Sequence, residues 1–142
     1  MVTIREALEE DRDRLFELSQ QFATSFTVER PAFGASFSEL LRSQESKLLV
    51  ADTSGKVVGY CLAFDHPAFF ANGRVTWVEE IMVSPETRLA GVGRQLMAAI
   101  ENWAASRNSR MVALATRRAA NFYEALGYSE SATYFRKVLA GA

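Results

Sequence analysis

The sequence contains very little cysteine and almost no net charge. A single cysteine, Cys61, cannot form an intramolecular disulfide and cannot supply a thiolate metal cluster. Sixteen basic residues stand against seventeen acidic ones, which leaves a net charge of −1 and too little positive field for a nucleic-acid partner. These scarcities exclude a protein held together by internal disulfides and disfavour one that binds DNA or RNA.

Long hydrophobic runs are also missing. No apolar stretch approaches the ~20 residues that cross a bilayer. The first six residues, MVTIRE, contain no hydrophobic segment of the kind found in signal peptides. We therefore expect a cytoplasmic protein without a membrane partner.

The residues that are present have an ordinary composition for a globular protein. Of the 142 residues, 49% are hydrophobic and 23% are charged, which argues against disorder and against a fibrous repeat. A chain of this length buries one substantial core. Because no linker, repeat or low-complexity segment interrupts it, we expect a single domain over residues 1–142.

Periodicity and turn residues predict strands and helices that interleave along the chain. Helices are predicted at 9–22, 36–43, 91–106 and 119–126, the last of them closed by Gly127 in a left-handed conformation. Strands are predicted at 2–6, 47–52, 56–64, 75–83, 111–115 and 134–139. Such interleaving is typical of a mixed α/β unit.

Two glycines, Gly91 and Gly93, lie between the predicted strand at 75–83 and the helix that follows it. They permit backbone angles and close approaches that a Cβ would block, so successive N–H groups can point at an anion where the helix begins. A P-loop is excluded because no Lys-Ser or Lys-Thr pair follows. A dinucleotide-binding fingerprint is excluded because its third glycine would fall on Leu96.

The remaining pattern, R-x-x-G-x-G from Arg88 to Gly93, resembles the acetyl-CoA loop of the GCN5-related N-acetyltransferases (GNAT). The resemblance extends to the turn IMVSP at 81–85 and to the motif FYEALGY at 122–128. It implies an α/β (α+β) fold with a mixed, mostly antiparallel central sheet, about four flanking helices and a splayed pair of strands that binds acetyl-CoA.

The resemblance also implies which residues hold the cosubstrate. Backbone groups of the strand would bind the pantetheine arm as an added strand does, and the glycine loop would wrap the pyrophosphate at the positive end of the helix dipole. The strand residues are Ile81, Met82 and Val83, and the loop residues are Arg88, Leu89, Ala90, Gly91, Val92, Gly93 and Arg94. A tight glycine turn without a ligand is the alternative.

Acyl transfer to an amine requires a base, because a free alkyl amine has a pKa of ~10.4 and is protonated near neutral pH. On regular alternation, Glu79 shares one face with apolar side chains that include Trp77 and Ile81. Glu79 is therefore the preferred candidate base, directly or through water, although a β-bulge would exchange its role with that of Glu80. A carboxylate that only pairs with an arginine is the alternative.

Tyr123 lies at the position where the GNAT family, which this sequence resembles, has its general acid. Its phenol, with an ordinary pKa of ~10, is suited to protonate the departing sulfur. Tyr123 also lies at helical core spacing with Ala119 and Leu126, so a purely structural aromatic is the alternative.

We therefore predict an acetyl-CoA-dependent N-acetyltransferase that acts on the primary amine of a small molecule and uses no metal. The alternatives are a protein or peptide N-acetyltransferase acting on N-termini or lysines, which needs an open groove, and an acyl-CoA-binding sensor without turnover. Apolar residues for the acceptor pocket, the core or a homodimer contact are Phe22, Phe26, Phe33, Phe37, Phe64, Phe69 and Phe70.

Overall fold

The computed structural model describes residues 1–139, except the side chains of Arg88 and Leu89. Its strands are β1 (Thr3–Glu6), β2 (Ser46–Thr53), β3 (Lys56–Ala68), β4 (Gly73–Val83) and β5 (Ser109–Leu114). Its α-helices are α1 (Arg12–Phe22), α2 (Arg30–Arg42), α3 (Val92–Ser106) and α4 (Ala120–Ala125), and short 3₁₀ helices lie at Glu9–Asp11 and Pro85–Ala90.

The five strands form one sheet in the order β1-β2-β3-β4-β5. The first three pairings are antiparallel, and β4 pairs with β5 in parallel. The predicted mixed, mostly antiparallel sheet with four helices is thereby confirmed. Of the helices described, none is both long enough and apolar enough to cross a membrane.

Each face of the sheet packs against a different pair of helices. On one face, Leu15 and Leu18 of α1 and Phe37 of α2 pack with Tyr60 of β3 and Met82 of β4. We call this the α1 face. On the other face, side chains of α3 and α4 pack with Cys61, Val78 and Ile81, and we call this the α3 face. The two cores result from the alternation of side chains along β2, β3 and β4.

A β-bulge interrupts β4 at Glu79. Leu62 of β3 pairs with Glu80, but the next residue, Ala63, pairs with Val78, so Glu79 is the extra residue. As a result Val78 and Ile81, three positions apart, both contact the core of the α3 face. The predicted face that joined Trp77, Glu79 and Ile81 is wrong for this reason.

The parallel pairing of β4 with β5 ends before β4 does. Its last pair is Val78 with Leu114, while β4 continues to Val83. The two strands therefore part from Glu79 onward, and the gap opens beside the residues that precede the glycine loop. This is the predicted splayed pair of strands.

The second helix begins six residues earlier than predicted, at Arg30 instead of Ser36. Pro31 lies in the first turn of this helix, where its missing N–H has no partner in the helix and its fixed φ suits the helical conformation. Gly34 also fits in the helix, where it accepts a hydrogen bond from the Arg12 side chain at 3.2 Å.

The predicted strand at 134–139 is wrong, since these residues have no regular secondary structure. Alternating apolar residues form a strand only when a neighbouring strand edge receives them. Here the Tyr134 ring instead stacks on Trp77, with centroids 6.4 Å apart, and Arg136 donates a hydrogen bond to Ser25 at 2.6 Å. The segment therefore runs near the α1 face.

Candidate active site

The glycine loop joins the end of β4 to the start of α3. The 3₁₀ helix Pro85–Ala90 leads to Gly91, whose φ of +76° is left-handed and which forms the N-cap of α3. The first N–H groups of a helix have no partner within that helix, so those that follow Gly91 suit an anion. The side chains of Arg88 and Leu89, two predicted loop residues, lie outside the described part of the structure.

Gly93 allows α4 to approach the beginning of α3. A Cβ at this position would lie 3.2 Å from Cζ of Phe122, closer than an ordinary contact. The loop glycine and the Phe122–Tyr123 pair, 29 positions apart in the chain, are therefore neighbours. The structure thus brings together the two motifs on which the resemblance depends.

Tyr123 is buried in the core of the α3 face, with 7% of its surface exposed. Its ring makes edge contacts with Phe122 at 4.9 Å and with Tyr128 at 5.9 Å between centroids. Burial raises the pKa of the Tyr123 phenol to about 12, so the group keeps its proton across the physiological range. Tyr123 therefore packs as a core aromatic whose phenol stays protonated.

The bulge gives the two adjacent glutamates different surroundings. Glu79 is exposed, whereas Glu80 is half-buried and accepts a hydrogen bond from the Tyr60 hydroxyl at 2.6 Å. Burial raises the pKa of the Glu80 carboxyl, the Tyr60 hydrogen bond lowers it in part, and the charge of Glu79 raises it further. Glu80 is therefore the carboxylate whose proton affinity is adjusted toward neutral pH.

A cavity of about 530 Å³ lies over the β3–β4 hairpin, between its turn end and the bulge. Phe64 and Trp77 are cross-strand partners that line it, and Glu79 lines it at the end where β4 and β5 part. The remaining lining residues are Glu45, Asp65, His66, Pro67 and Arg74. Of the predicted pocket phenylalanines, Phe64 lines this cavity, while Phe37 is buried in the core and Phe69 is exposed.

A network of four charged side chains holds the wall of this cavity. Asp65, which is fully buried, accepts hydrogen bonds from Arg74 Nε at 2.7 Å and from Arg107 Nε. Both arginines also contact the carboxylate of Glu45. Two acids and two bases therefore neutralise one another, which is the condition under which a buried carboxylate such as Asp65 is tolerated.

Three contributors to the site escaped the sequence analysis: Tyr60, Trp77 as a cavity wall, and Tyr134. Tyr60 lies on a predicted strand, and its hydroxyl meets Glu80 because Tyr60 pairs with Met82 and Leu62 pairs with Glu80, which places the two side chains diagonally on the α1 face. No local pattern signals this contact, because it depends on the register of β3 against β4. Tyr134 gave no signal either, since its contact depends on the path of the last residues.

The fold and site are those of an acyltransferase that opens its sheet between two strands: β4 and β5 part, and the glycine loop and the Phe122–Tyr123 pair lie next to each other. Comparison with known proteins agrees. The chain belongs to the acetyltransferase (GNAT) family, whose model matches residues 6–128, and it is an N-acetyltransferase. The resemblance stated from the sequence is thereby confirmed.

Individual relatives are distant but cover nearly the whole chain. The uncharacterized N-acetyltransferase YhfO of Bacillus subtilis (strain 168) is 24% identical in an alignment of 135 positions that covers 91% of each chain. The crystal structure of a transcriptional regulator from Bacillus halodurans C-125 has a TM-score of 0.90 at 24% identity and covers 98% of this chain and 100% of that one. The aminoglycoside N-acetyltransferase AAC(6')-Iy in complex with CoA has a TM-score of 0.83 at 23% identity, over 96% and 95% of the two chains.

Proposed function

We propose that this chain transfers the acetyl group of acetyl-CoA to the primary amine of a small molecule by direct attack of the amine on the thioester. The observation that carries the proposal is the position of Glu79, which lines the cavity and also marks the point where β4 and β5 part. A volume of about 530 Å³ is within the range of small-molecule sites. An acceptor in the cavity would thus reach a thioester in the gap.

Acetyl-CoA would lie in the gap and over the glycine loop. Backbone groups of Ile81, Met82 and Val83 would bind the pantetheine arm, and the loop from Arg88 to Arg94 would hold the pyrophosphate. That AAC(6')-Iy, a structural neighbour, was crystallised with CoA supports this placement. The left-handed Gly91 at the N-cap supports it from the local geometry.

The two glutamates would have different roles: one binds the ammonium and the other takes its proton. Glu79 attracts the ammonium to the end of the cavity, and Glu80 accepts a proton through water, since its raised pKa makes it the better base near neutral pH. The bulge exchanges the roles that regular alternation predicts. Nucleophile and thioester are then held together, and proximity supplies much of the rate.

On the other side of the thioester, a backbone N–H of β4 would polarise the carbonyl oxygen. The Tyr123 phenol keeps its proton because burial raises its pKa to about 12, and it would donate that proton as a hydrogen bond to the departing sulfur. A thiolate with a conjugate-acid pKa of ~8.5 is a good leaving group, so this donation assists departure without being indispensable.

The experiment is to incubate the protein with acetyl-CoA and a panel of amines and peptides while following the release of free thiol. Cys61 does not disturb the assay, since its side chain is fully buried. Release with small primary amines supports the proposal. Release with peptides alone would indicate a protein-modifying enzyme, and CoA binding without release for any acceptor would indicate a sensor.

Two isosteric variants test the separate roles of Glu79 and Glu80. Glu80→Gln should lower kcat by about 100-fold or more, as expected for loss of a general base. Glu79→Gln should instead raise KM for the amine and leave kcat nearly unchanged. If Glu79→Gln lowers kcat and Glu80→Gln raises only KM, Glu79 is the base.

A further inference from the structure

The cavity beside Glu79 has an apolar floor. Phe64 and Trp77 face each other across β3 and β4, and Pro67 lies further along β3. Flat aromatic surfaces gain most from burying another ring or an alkyl body, and paired rings stabilise a complex beyond the effect of the buried area. The body of an acceptor held here is therefore favoured when it is apolar.

The charged groups that line the cavity are mostly acidic. Three carboxylates, Glu45, Asp65 and Glu79, stand against one guanidinium, that of Arg74. Arg74, together with Arg107 beside the cavity, pairs with Asp65 and Glu45, so these four charges cancel and the charge that remains at the cavity is that of Glu79. A phosphate or carboxylate on the acceptor would therefore meet the negative charge of Glu79.

Glu79 differs from the other two carboxylates. Glu45 and Asp65 are paired with arginines, whereas no basic side chain among those described makes an ion pair with Glu79. It lies at the end of the cavity where the strands part. An unpaired carboxylate there is placed to bind an ammonium beside the thioester.

Resting on the proposed function, we infer that the acceptor is a primary amine carried by an uncharged apolar body, best an aromatic ring, with no anionic group. Its ammonium binds Glu79 and its ring packs on Trp77 and Phe64. After one proton leaves, the nitrogen forms a bond to the acyl carbon as the carbon–sulfur bond breaks. The sulfur departs with the bonding electron pair and is protonated to the thiol, and the second proton goes from the amide nitrogen to solvent.

The test is a set of matched acceptors at one acetyl-CoA concentration. Phenylethylamine should exceed ethylamine in kcat/KM by about 10-fold or more, because the ring adds apolar contact. Phenylethylamine should exceed phenylalanine, which differs from it by one carboxylate, by about 100-fold, because like charges meet in the cavity. A higher kcat/KM for phenylalanine or for glucosamine 6-phosphate overturns the inference while leaving the proposed function standing. No release with any small amine overturns the proposed function itself.

Variants test whether the residues of the cavity cause the preference for an aromatic amine without an anionic group. Trp77→Leu should raise KM for phenylethylamine about 10-fold and leave KM for ethylamine unchanged. Phe69→Leu is the matched control, because Phe69 is fully exposed at the turn of the same hairpin and does not line the cavity. Glu79→Gln should reduce the preference for phenylethylamine over phenylalanine. An unchanged preference would refute the role of the Glu79 charge, even if Trp77→Leu failed to fold.

Discussion

Replacement of Tyr60 by phenylalanine tests which of the two glutamates at the bulge is the base. The Tyr60 hydroxyl donates a hydrogen bond to Oε1 of Glu80 at 2.6 Å, and 4% of Tyr60 is exposed, so water has little access to replace it. The variant keeps the ring in the core and removes only the donor. Because this hydrogen bond holds down a pKa that burial raises, the pKa of Glu80 should rise further in Tyr60→Phe.

The expected magnitude follows from the charge of the acceptor. A hydrogen bond to an ionised group contributes about 1.5–3 kcal/mol and one to a neutral group about 0.5–1.5 kcal/mol, so the variant loses more while Glu80 is ionised. A carboxyl whose pKa is raised on folding lowers the stability of the folded state as pH rises through that pKa, and the variant should lose more. Its deficit in the free energy of unfolding should therefore be larger near neutral pH than at pH 4.5, the ordinary glutamate value.

The assay combines urea denaturation at both pH values with the pH profile of kcat/KM. If Glu80 is the base, its higher pKa in Tyr60→Phe should move the acidic limb of the profile to higher pH. Tyr128→Phe is the matched control, since the Tyr128 hydroxyl donates to Glu101 at 2.7 Å between α3 and the residues after α4. That variant should lose stability without moving the limb. An unmoved limb in Tyr60→Phe would refute Glu80 as the titrating base.

Four further changes test other parts of the site. Gly91→Ala should cost about 1–2 kcal/mol of stability, because its φ is +76°, and should weaken CoA binding measured by calorimetry; Gly55→Ala, at φ +86° in a distant turn, should cost the same and leave CoA binding intact. Tyr123→Phe should lower kcat about 100-fold, and a loss within twofold would contradict its role as acid. Tyr134→Ala should raise KM for phenylethylamine about 2–10-fold without lowering kcat, since it removes the ring that stacks on Trp77 of the cavity wall. Cys61, fully buried and with its thiol pKa raised by burial to about 12, should react with thiol reagents only as fast as the protein unfolds; rapid labelling of the native protein would contradict its burial.

The sequence was informative where local pattern and backbone chemistry determine the structure. The strand at 75–83, the glycine loop and the helix after it were predicted because glycine, apolar alternation and helical spacing each act over a few residues. The left-handed conformation of Gly127 was predicted because glycine is favoured at such a helix end. The local structure around the glycine loop was therefore accessible without coordinates.

The cavity depends on contacts between distant segments, which local pattern does not encode. The bulge at Glu79 arises from the pairing of β3 with β4, and neither strand marks it with a glycine at that point. The cavity brings together Glu45, Phe64 and Trp77 from three separate strands or their flanks. The path of residues 134–139 depends on Trp77 and Ser25, more than 50 positions away in the chain.

The bulge at Glu79 divides β4 into two segments, because the alternation of side chains along the strand shifts by one position there. Before it, Trp77 lines the cavity; after it, Ile81 packs on the α3 face. Leu62 pairs with Glu80 and Ala63 pairs with Val78, so deleting Glu79 would restore a regular strand and leave both segments on their present faces. Under the proposed function, the bulge therefore adds one carboxylate between the acceptor and the thioester without changing which way the rest of β4 faces.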